Sequence, residues 1–105
     1  MEKPSLKYIK ELSGGDVSFE DKLIKVVQEE LPDEILLYEE CMNDSAFAKA
    51  AEVVHKIKHK LGILSLEEGY ELAIVYEAQL KEGKIGHKEK FESILKTSLE
   101  FISNF

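Results

Sequence analysis

The sequence predicts an all-α protein: an up-and-down antiparallel four-helix bundle with a short additional N-terminal helix. Apolar residues recur at helical spacing along almost the whole chain of 105 residues, and the alternating pattern of a strand is almost absent. The segments between the helices are short and rich in turn-forming residues. Consecutive amphipathic helices with short connections pack most simply antiparallel to their neighbours.

Length and composition limit the protein to one folded domain, spanning residues 1–105. A hydrophobic fraction of 44% and a charged fraction of 33% are typical of a folded protein and not of a disordered one. The net charge of −7 argues against nucleic-acid binding, which requires a basic surface.

No apolar stretch reaches the length of a membrane span, and residues 1–4 lack the apolar core of a signal peptide. We therefore expect a cytoplasmic protein with no membrane partner. Cys41 is the only cysteine, which excludes an intramolecular disulfide and a cysteine-based zinc site, and we expect its thiol to be buried.

The first helix is predicted over residues 4–12, because Gly14 and Gly15 follow it and favour backbone conformations that a helix does not use. Asp16 and Ser18 are both candidate N-caps for the second helix. Its apolar stripe stays in phase across Pro32, which favours one long helix kinked there over two helices joined at the proline. That stripe consists of Phe19, Leu23, Val27, Leu31, Ile35, Tyr38 and Met42.

Turn and capping residues place the remaining three helices. The turn at residues 43–45 opens the third helix with capping side chains, and the capping-box pattern at residues 65–68 ends it near Leu64 and starts the fourth. Glu82 and Gly83 end the fourth helix, and a loop leads to the fifth. The aromatic residues of the fifth helix are predicted to lie in the core: Phe91, Phe101 and Phe105.

An exposed histidine is the main candidate for function. At about 100° per residue, His55 points roughly 130° away from the centre of the apolar face of the third helix, towards water. Lys58 lies between the imidazole and the buried face. The residues that we expect to form a partner-docking surface around His55 are Ala48, Ala51, Glu52, His59 and Gly62.

The run His55-Lys56-Ile57-Lys58 and its surroundings resemble the histidine-containing phosphotransfer domain, the phosphoryl carrier of multistep two-component phosphorelays. In that family a helix presents a histidine, any residue, an aliphatic residue and a lysine. The resemblance covers Leu12 to Leu80 and depends on the order and spacing of several matches. These are Gly15-Asp16 ahead of Phe19, Glu30-Leu31-Pro32, the turn at Asn43-Asp44, Leu64 and Glu77.

The resemblance implies that His55 accepts a phosphoryl group from a receiver-domain aspartate and transfers it to another receiver aspartate. It implies a hybrid sensor histidine kinase and a response-regulator receiver domain as partners. It also implies no cofactor of its own, with Mg²⁺ on the receiver domain. We expect a monomeric carrier without autonomous kinase activity.

Two positions depart from the family pattern. His59 stands where the family usually has glycine, and Ser65 falls in a stretch where the family commonly has one. A bulky side chain one turn from the phospho-acceptor narrows the docking surface, so we expect His59 to affect the choice of partner.

Imidazole chemistry supports the same assignment independently. An ordinary imidazole, with a pKa of about 6.5, is mostly neutral and nucleophilic near pH 7. Lys58, one turn further along the helix, is predicted to offset charge on the passing phosphoryl oxygens. We expect Nε2 to be the acceptor, because it projects farthest from the helix.

Two other functions remain open at this stage. The first is a helical adaptor that docks a signalling protein without being phosphorylated. The second is a small metal-binding bundle, because His55 and His59 have i,i+4 spacing, although a third ligand would have to come from Glu52 or the distant His87. Glu77 is predicted to pair with Lys81 or to act as a structural acid, with no catalytic role.

Overall fold

Five helices account for most of the chain. The computed structural model describes residues 2–105 and has no strand within them. The helices are α1 (Lys7–Ser13), α2 (Val17–Asn43), α3 (Phe47–Ile63), α4 (Glu67–Lys81) and α5 (Lys88–Ile102). Helix α2 packs against α3 and α5, α4 packs against the same two helices, and α1 packs on α2. The all-α prediction is confirmed.

None of the helices within residues 2–105 combines the length and the apolar composition needed to cross a membrane. The packed helices measure 43 × 23 × 19 Å along their principal axes.

The start of the chain follows the predicted order with shifted bounds. Helix α1 begins at Lys7, three residues later than expected, and Gly14 follows it with φ of 56°. Of the two candidate N-caps for α2, Asp16 is the one used, because its Oδ1 accepts a hydrogen bond of 3.1 Å from the amide of Phe19. Ser18 lies inside the helix instead.

Helix α2 is continuous through Pro32, as its in-phase stripe predicts, so the alternative of two separate helices is wrong. Leu31 and Ile35 of this stripe are buried in the core next to Pro32, and this packing offsets the hydrogen bond that the proline cannot make. Cys41 lies beside this stripe, between Tyr38 and Met42, and is buried, as expected.

The predicted caps of α3 and α4 are wrong. Helix α3 follows Ala46, and no side chain of the preceding turn caps it. Ser65 does not cap α4, because its Oγ accepts from the amide of Tyr8 at 3.0 Å. The carboxylate of Glu2 caps α4 instead and accepts from the amides of residues 68 and 69 at 2.8 and 3.1 Å. The N-terminal segment therefore closes the end of the molecule where α3 turns into α4.

Two buried tyrosines join three helices in the core. The hydroxyls of Tyr38 on α2 and Tyr76 on α4 lie 2.7 Å apart, and Tyr38 also donates to Glu92 on α5 at 2.9 Å. Both rings pack edge-on or tilted against Phe91, which is fully buried as predicted. Phe105 is 54% exposed, so its assignment to the core is wrong, because it lies beyond the last residue of α5.

The burial of Tyr76 also sets the position of its neighbour. Successive residues of a helix are about 100° apart. With Tyr76 turned into the core, Glu77 is placed at the edge of α4 that faces α3, where the candidate histidine lies.

Candidate functional site

His55 lies on the exposed side of α3. The opposite side of this helix forms part of the core through Ala50, Val54, Ile57 and Leu61. The side chain of His55 is 51% exposed, which confirms the prediction that it faces water.

One ring nitrogen of His55 is bound by the neighbouring helix. Nδ1 lies 3.0 Å from Oε1 of Glu77, whose side chain is only 16% exposed. An ionised carboxylate only accepts hydrogen bonds, so Nδ1 carries the ring proton and donates a hydrogen bond to Glu77. In the neutral ring this tautomer leaves the lone pair on Nε2, the nitrogen that we predicted as the acceptor.

Lys58 belongs to the same contact network. Its Nζ lies 3.3 Å from Nδ1 of His55, 3.9 Å from Oε1 of Glu77 and 5.7 Å above the ring centroid of Tyr70. Its side chain is 12% exposed, so it does lie between the imidazole and the buried face, as predicted. Because Nδ1 already donates to Glu77, the ammonium acts there through its charge on Glu77 and not as a donor to the ring.

Glu77 is held in its ionised form. Burial raises the pKa of Glu77, but the hydrogen bond and charge of His55, together with Lys81 and Lys58, outweigh burial and lower it below 4.5. Lys81 Nζ lies 3.4 Å from Oε2, which confirms the predicted pair within α4. The carboxylate therefore bridges two lysines and the histidine.

Glu77 belongs to the candidate site through a contact that the sequence analysis missed. Its pairing with Lys81 was predicted, but its contact with His55 was not. The available signal was an acidic residue within the apolar stripe of α4, where an unpaired charge is costly. Finding its partner required the packing of α4 against α3.

His59 lies one turn beyond His55 and touches it. The ring centroids are 5.1 Å apart with an interplanar angle of 88°, an edge-to-face arrangement. His59 is exposed, so the two imidazoles form a continuous polar surface on the outside of α3.

The predicted docking residues divide into two groups. Ala48 and Glu52 are exposed near His55, and Gly62 is half-buried. A Cβ at Gly62 would lie 3.3 Å from Cδ2 of Tyr70, so the glycine allows that ring to approach α3. Ala51 is 0% exposed, so its assignment to the docking surface is wrong: it lies on the edge of α3 that packs against α4.

The metal hypothesis finds no third ligand near the two histidines. Within residues 2–105, no group of three or more His, Cys, Asp or Glu side chains is arranged to hold a metal ion. His87, which we considered as a distant ligand, hydrogen-bonds through Nδ1 to Gln79 at 2.6 Å instead.

No protein-family model, curated protein or solved structure matches this chain. The resemblance to phosphotransfer domains therefore stays a prediction from the sequence.

Proposed function

We propose that this protein is a phosphoryl carrier that accepts a phosphoryl group on Nε2 of His55 from a receiver-domain aspartate and transfers it to another receiver aspartate. The observation that carries the proposal is the 3.0 Å contact between Nδ1 of His55 and Glu77. It holds the proton on the inner nitrogen and leaves the outer nitrogen as a nucleophile.

The contact also supports the chemistry of transfer. Nε2 attacks the phosphorus of the aspartyl phosphate, a P–N bond forms, and the P–O bond to the aspartate breaks and releases its carboxylate. The proton on Nδ1 stays in place, so the phosphorylated ring carries positive charge. Glu77 is ionised and adjacent to that proton, so it stabilises the charge as it develops. The reverse sequence delivers the group to the second receiver.

The surroundings of His55 suit a macromolecular partner. On α3, Ala48 and Glu52 are exposed before His55. On α4, the apolar side chain of Ile74 is 41% exposed and lies one turn before Glu77. A small, partly apolar surface around the histidine lets a receiver domain bring its aspartate in line with the ring. Mg²⁺ is expected on the receiver domain.

We further propose that α2 to α5 form an up-and-down antiparallel four-helix bundle and that the protein works as a cytoplasmic monomer without kinase activity of its own. The proposed arrangement is supported by the packing of α2 and α4 each against α3 and α5. Short connections at residues 44–46, 64–66 and 82–87 also favour antiparallel neighbours.

The direct test is transfer from a phosphorylated receiver domain to the wild-type protein, to His55→Ala and to His59→Ala. We expect an acid-labile, alkali-stable phosphoryl group on the wild type and on His59→Ala, and none on His55→Ala. Circular dichroism serves as the control for folding, because His55 is exposed and its replacement leaves the core unchanged.

Other outcomes would identify a different function. Transfer that survives in His55→Ala but disappears in His59→Ala would move the acceptor to His59. Binding of receivers without transfer from any of them would favour the non-phosphorylated adaptor. Zinc-dependent NMR shifts of His55 and His59 together would favour the metal-binding bundle.

A further inference from the structure

The lysine of the sequence pattern lies on the inner side of the His55 ring. Lys58 lies on the Nδ1 side of the ring, 3.3 Å from that nitrogen and 3.9 Å from Glu77, and only 12% of its side chain is exposed. A phosphoryl group on Nε2 would lie towards solvent, away from this inner cluster. His59 is on the exposed side and already touches the ring, with centroids 5.1 Å apart.

We propose that His59 is the residue that faces the phosphoryl group carried by His55, and that its protonated ring stabilises the phosphorylated protein, so that the lifetime of the carried group depends on pH. This inference rests on the proposed function. It assigns His59 a role in stabilising the carried group, where the sequence analysis placed it only in the docking surface.

The other charged groups around His59 have partners. On α3, Lys60 is bound to Glu30 and Glu34 of α2. On α4, Glu77 is bound to Lys81 as well as to His55. These contacts leave four charged or titratable side chains on the exposed surface of α3: Lys49, Glu52, Lys56 and His59. On the neighbouring α4, Glu71 is also exposed.

Among these groups, His59 has the best position and chemistry. Glu52 and Glu71 are anions and repel a phosphoryl group. Lys49 lies six residues before His55 and points about 120° away from it. Lys56 follows His55 directly and therefore points about 100° away from it, whereas His59 is i+4 and points within about 40° of it. A phosphoryl group on Nε2 adds negative charge beside His59, which favours the imidazolium and gives it an acceptor to bind. Protonation of His59 and phosphorylation of His55 are thus coupled.

The first test follows the histidine ring signals by NMR across a pH titration, before and after phosphorylation of the wild-type protein with phosphoramidate. We expect His59 to titrate at a higher pH in the phosphorylated protein, because the anion stabilises its charged form. His87 is the internal control, since it is held by Gln79 in the region between α4 and α5 and should titrate the same in both forms.

The second test compares the half-life of the phosphoryl group in the wild type, His59→Gln and His59→Lys, with Lys56→Gln as the matched loss of a cation from the same helix. We expect the wild-type half-life to exceed that of His59→Gln by roughly twofold to fivefold at pH 6, the range for an exposed ion pair, with the ratio approaching one by pH 9. His59→Lys should stay stabilised at both pH values, and Lys56→Gln should match the wild type.

The two proposals fail in different ways. If His55 takes up no phosphoryl group, both are overturned. If His55 is phosphorylated but the His59 titration does not move and His59→Gln decays like the wild type at every pH, only the role of His59 is overturned. An equal loss in Lys56→Gln would also overturn it, since the effect would then come from general positive charge on α3.

Discussion

Helix α3 carries two charged clusters on different sides, and the two differ in burial and in how completely their polar atoms are paired. The site cluster consists of His55, Lys58 and Glu77, and the clamp cluster consists of Lys60, Glu30 and Glu34. In the clamp cluster, Nζ of Lys60 lies 3.1 and 3.0 Å from the two carboxylates of α2, and the lysine is only 8% exposed. In the site cluster, the histidine is half exposed and one of its ring nitrogens is bound.

The difference lies in what each cluster leaves unpaired towards solvent. The clamp cluster uses its cation to hold α2 and α3 together. The site cluster fixes the inner side of a ring and presents the outer nitrogen. Both contain lysine and glutamate joining two helices, so residue type alone does not distinguish them. Only the site cluster exposes a ring nitrogen that is able to act as a nucleophile.

The largest effect should come from breaking the clamp cluster. Lys60→Met leaves Glu34 half-buried without its cation, and we expect a loss of about 3 kcal/mol in the free energy of unfolding, measured by urea denaturation. Lys56→Met, on an exposed position of the same helix, should stay within about 0.5 kcal/mol of the wild type. If Lys60→Met is as stable as Lys56→Met, the clamp cluster is not structural.

A double variant sharpens this result. Oε1 of Glu34 is buried without a hydrogen-bond partner, so the cost of Lys60→Met should come mainly from the unpaired carboxylate. Adding Glu34→Leu should recover part of the lost stability, because a well-packed apolar pair avoids burying charge. If the double variant is no more stable than Lys60→Met, the loss of stability comes from the lost packing of the lysine side chain instead.

The next effect concerns Glu77 in the site cluster. Glu77→Ala removes the acceptor that holds the proton on Nδ1, and we expect phosphoryl uptake to slow about tenfold with the fold retained. Nitrogen-15 chemical shifts of the His55 ring should show the population of the other tautomer increasing. A slower rate with an unchanged tautomer would mean that Glu77 affects docking of the receiver domain and not the protonation of the His55 ring.

A smaller effect is expected for Lys58. Lys58→Ala should slow transfer about threefold, because the ammonium acts at a distance by keeping Glu77 ionised and in place. The fold should remain intact, since the lysine ammonium lies over the half-buried Tyr70 ring and is not part of the hydrophobic core. A stopped-flow comparison with Lys56→Ala provides the control, and equal rates for the two variants would remove the role of Lys58.

The smallest effect concerns the pH dependence of stability. The site cluster should lose its contribution to the free energy of unfolding in acid, and the clamp cluster should lose its contribution in alkali. The pKa of Glu77 is lowered in the folded protein, so its contribution is present above its ordinary pKa of 4.5 and is lost as the pH falls through the lowered value. We expect the difference in unfolding free energy between wild type and Glu77→Gln to be under about 1 kcal/mol and to vanish in acid. If the two proteins still differ in unfolding free energy in acid, the contribution of Glu77 does not come from its ionised carboxylate.

The clamp cluster should behave in the opposite way. Burial lowers the pKa of Lys60, but its hydrogen bonds and charge interactions with Glu34 and Glu30 raise it more, to a value above 10.5. Its contribution is therefore complete below 10.5 and is lost as the pH rises through the raised value. Burial raises the pKa of Tyr38 and Tyr76, so these tyrosines also contribute to the loss of stability in alkali. Lys60→Met keeps both tyrosines and is therefore the control that isolates the contribution of Lys60.

Much of the helical framework could be predicted because it depends on local pattern. The in-phase stripe across Pro32 predicted one continuous α2, and Asp16 was among the predicted caps. Prediction failed where the decisive contact came from a distant part of the chain. Glu2 caps α4, 66 residues away in sequence, and takes the place of the local capping box that residues 65–68 suggested.

The candidate site shows the same division. Periodicity was enough to place His55 outside and Lys58 beside it, since both follow from angles around a single helix. It was not enough for Ala51, which points only about 40° from His55 and is fully buried because α4 covers that edge of α3.

By itself, then, the sequence determined an all-α protein with an exposed histidine followed by lysine, because helical periodicity is a local property of the chain. The tertiary structure decided which histidine nitrogen is free, where Lys58 directs its charge and which small residues stay exposed. These depend on the packing of α4 against α3, which brings Glu77 to Nδ1 across 22 residues of sequence, and no pattern within one helix contains that contact.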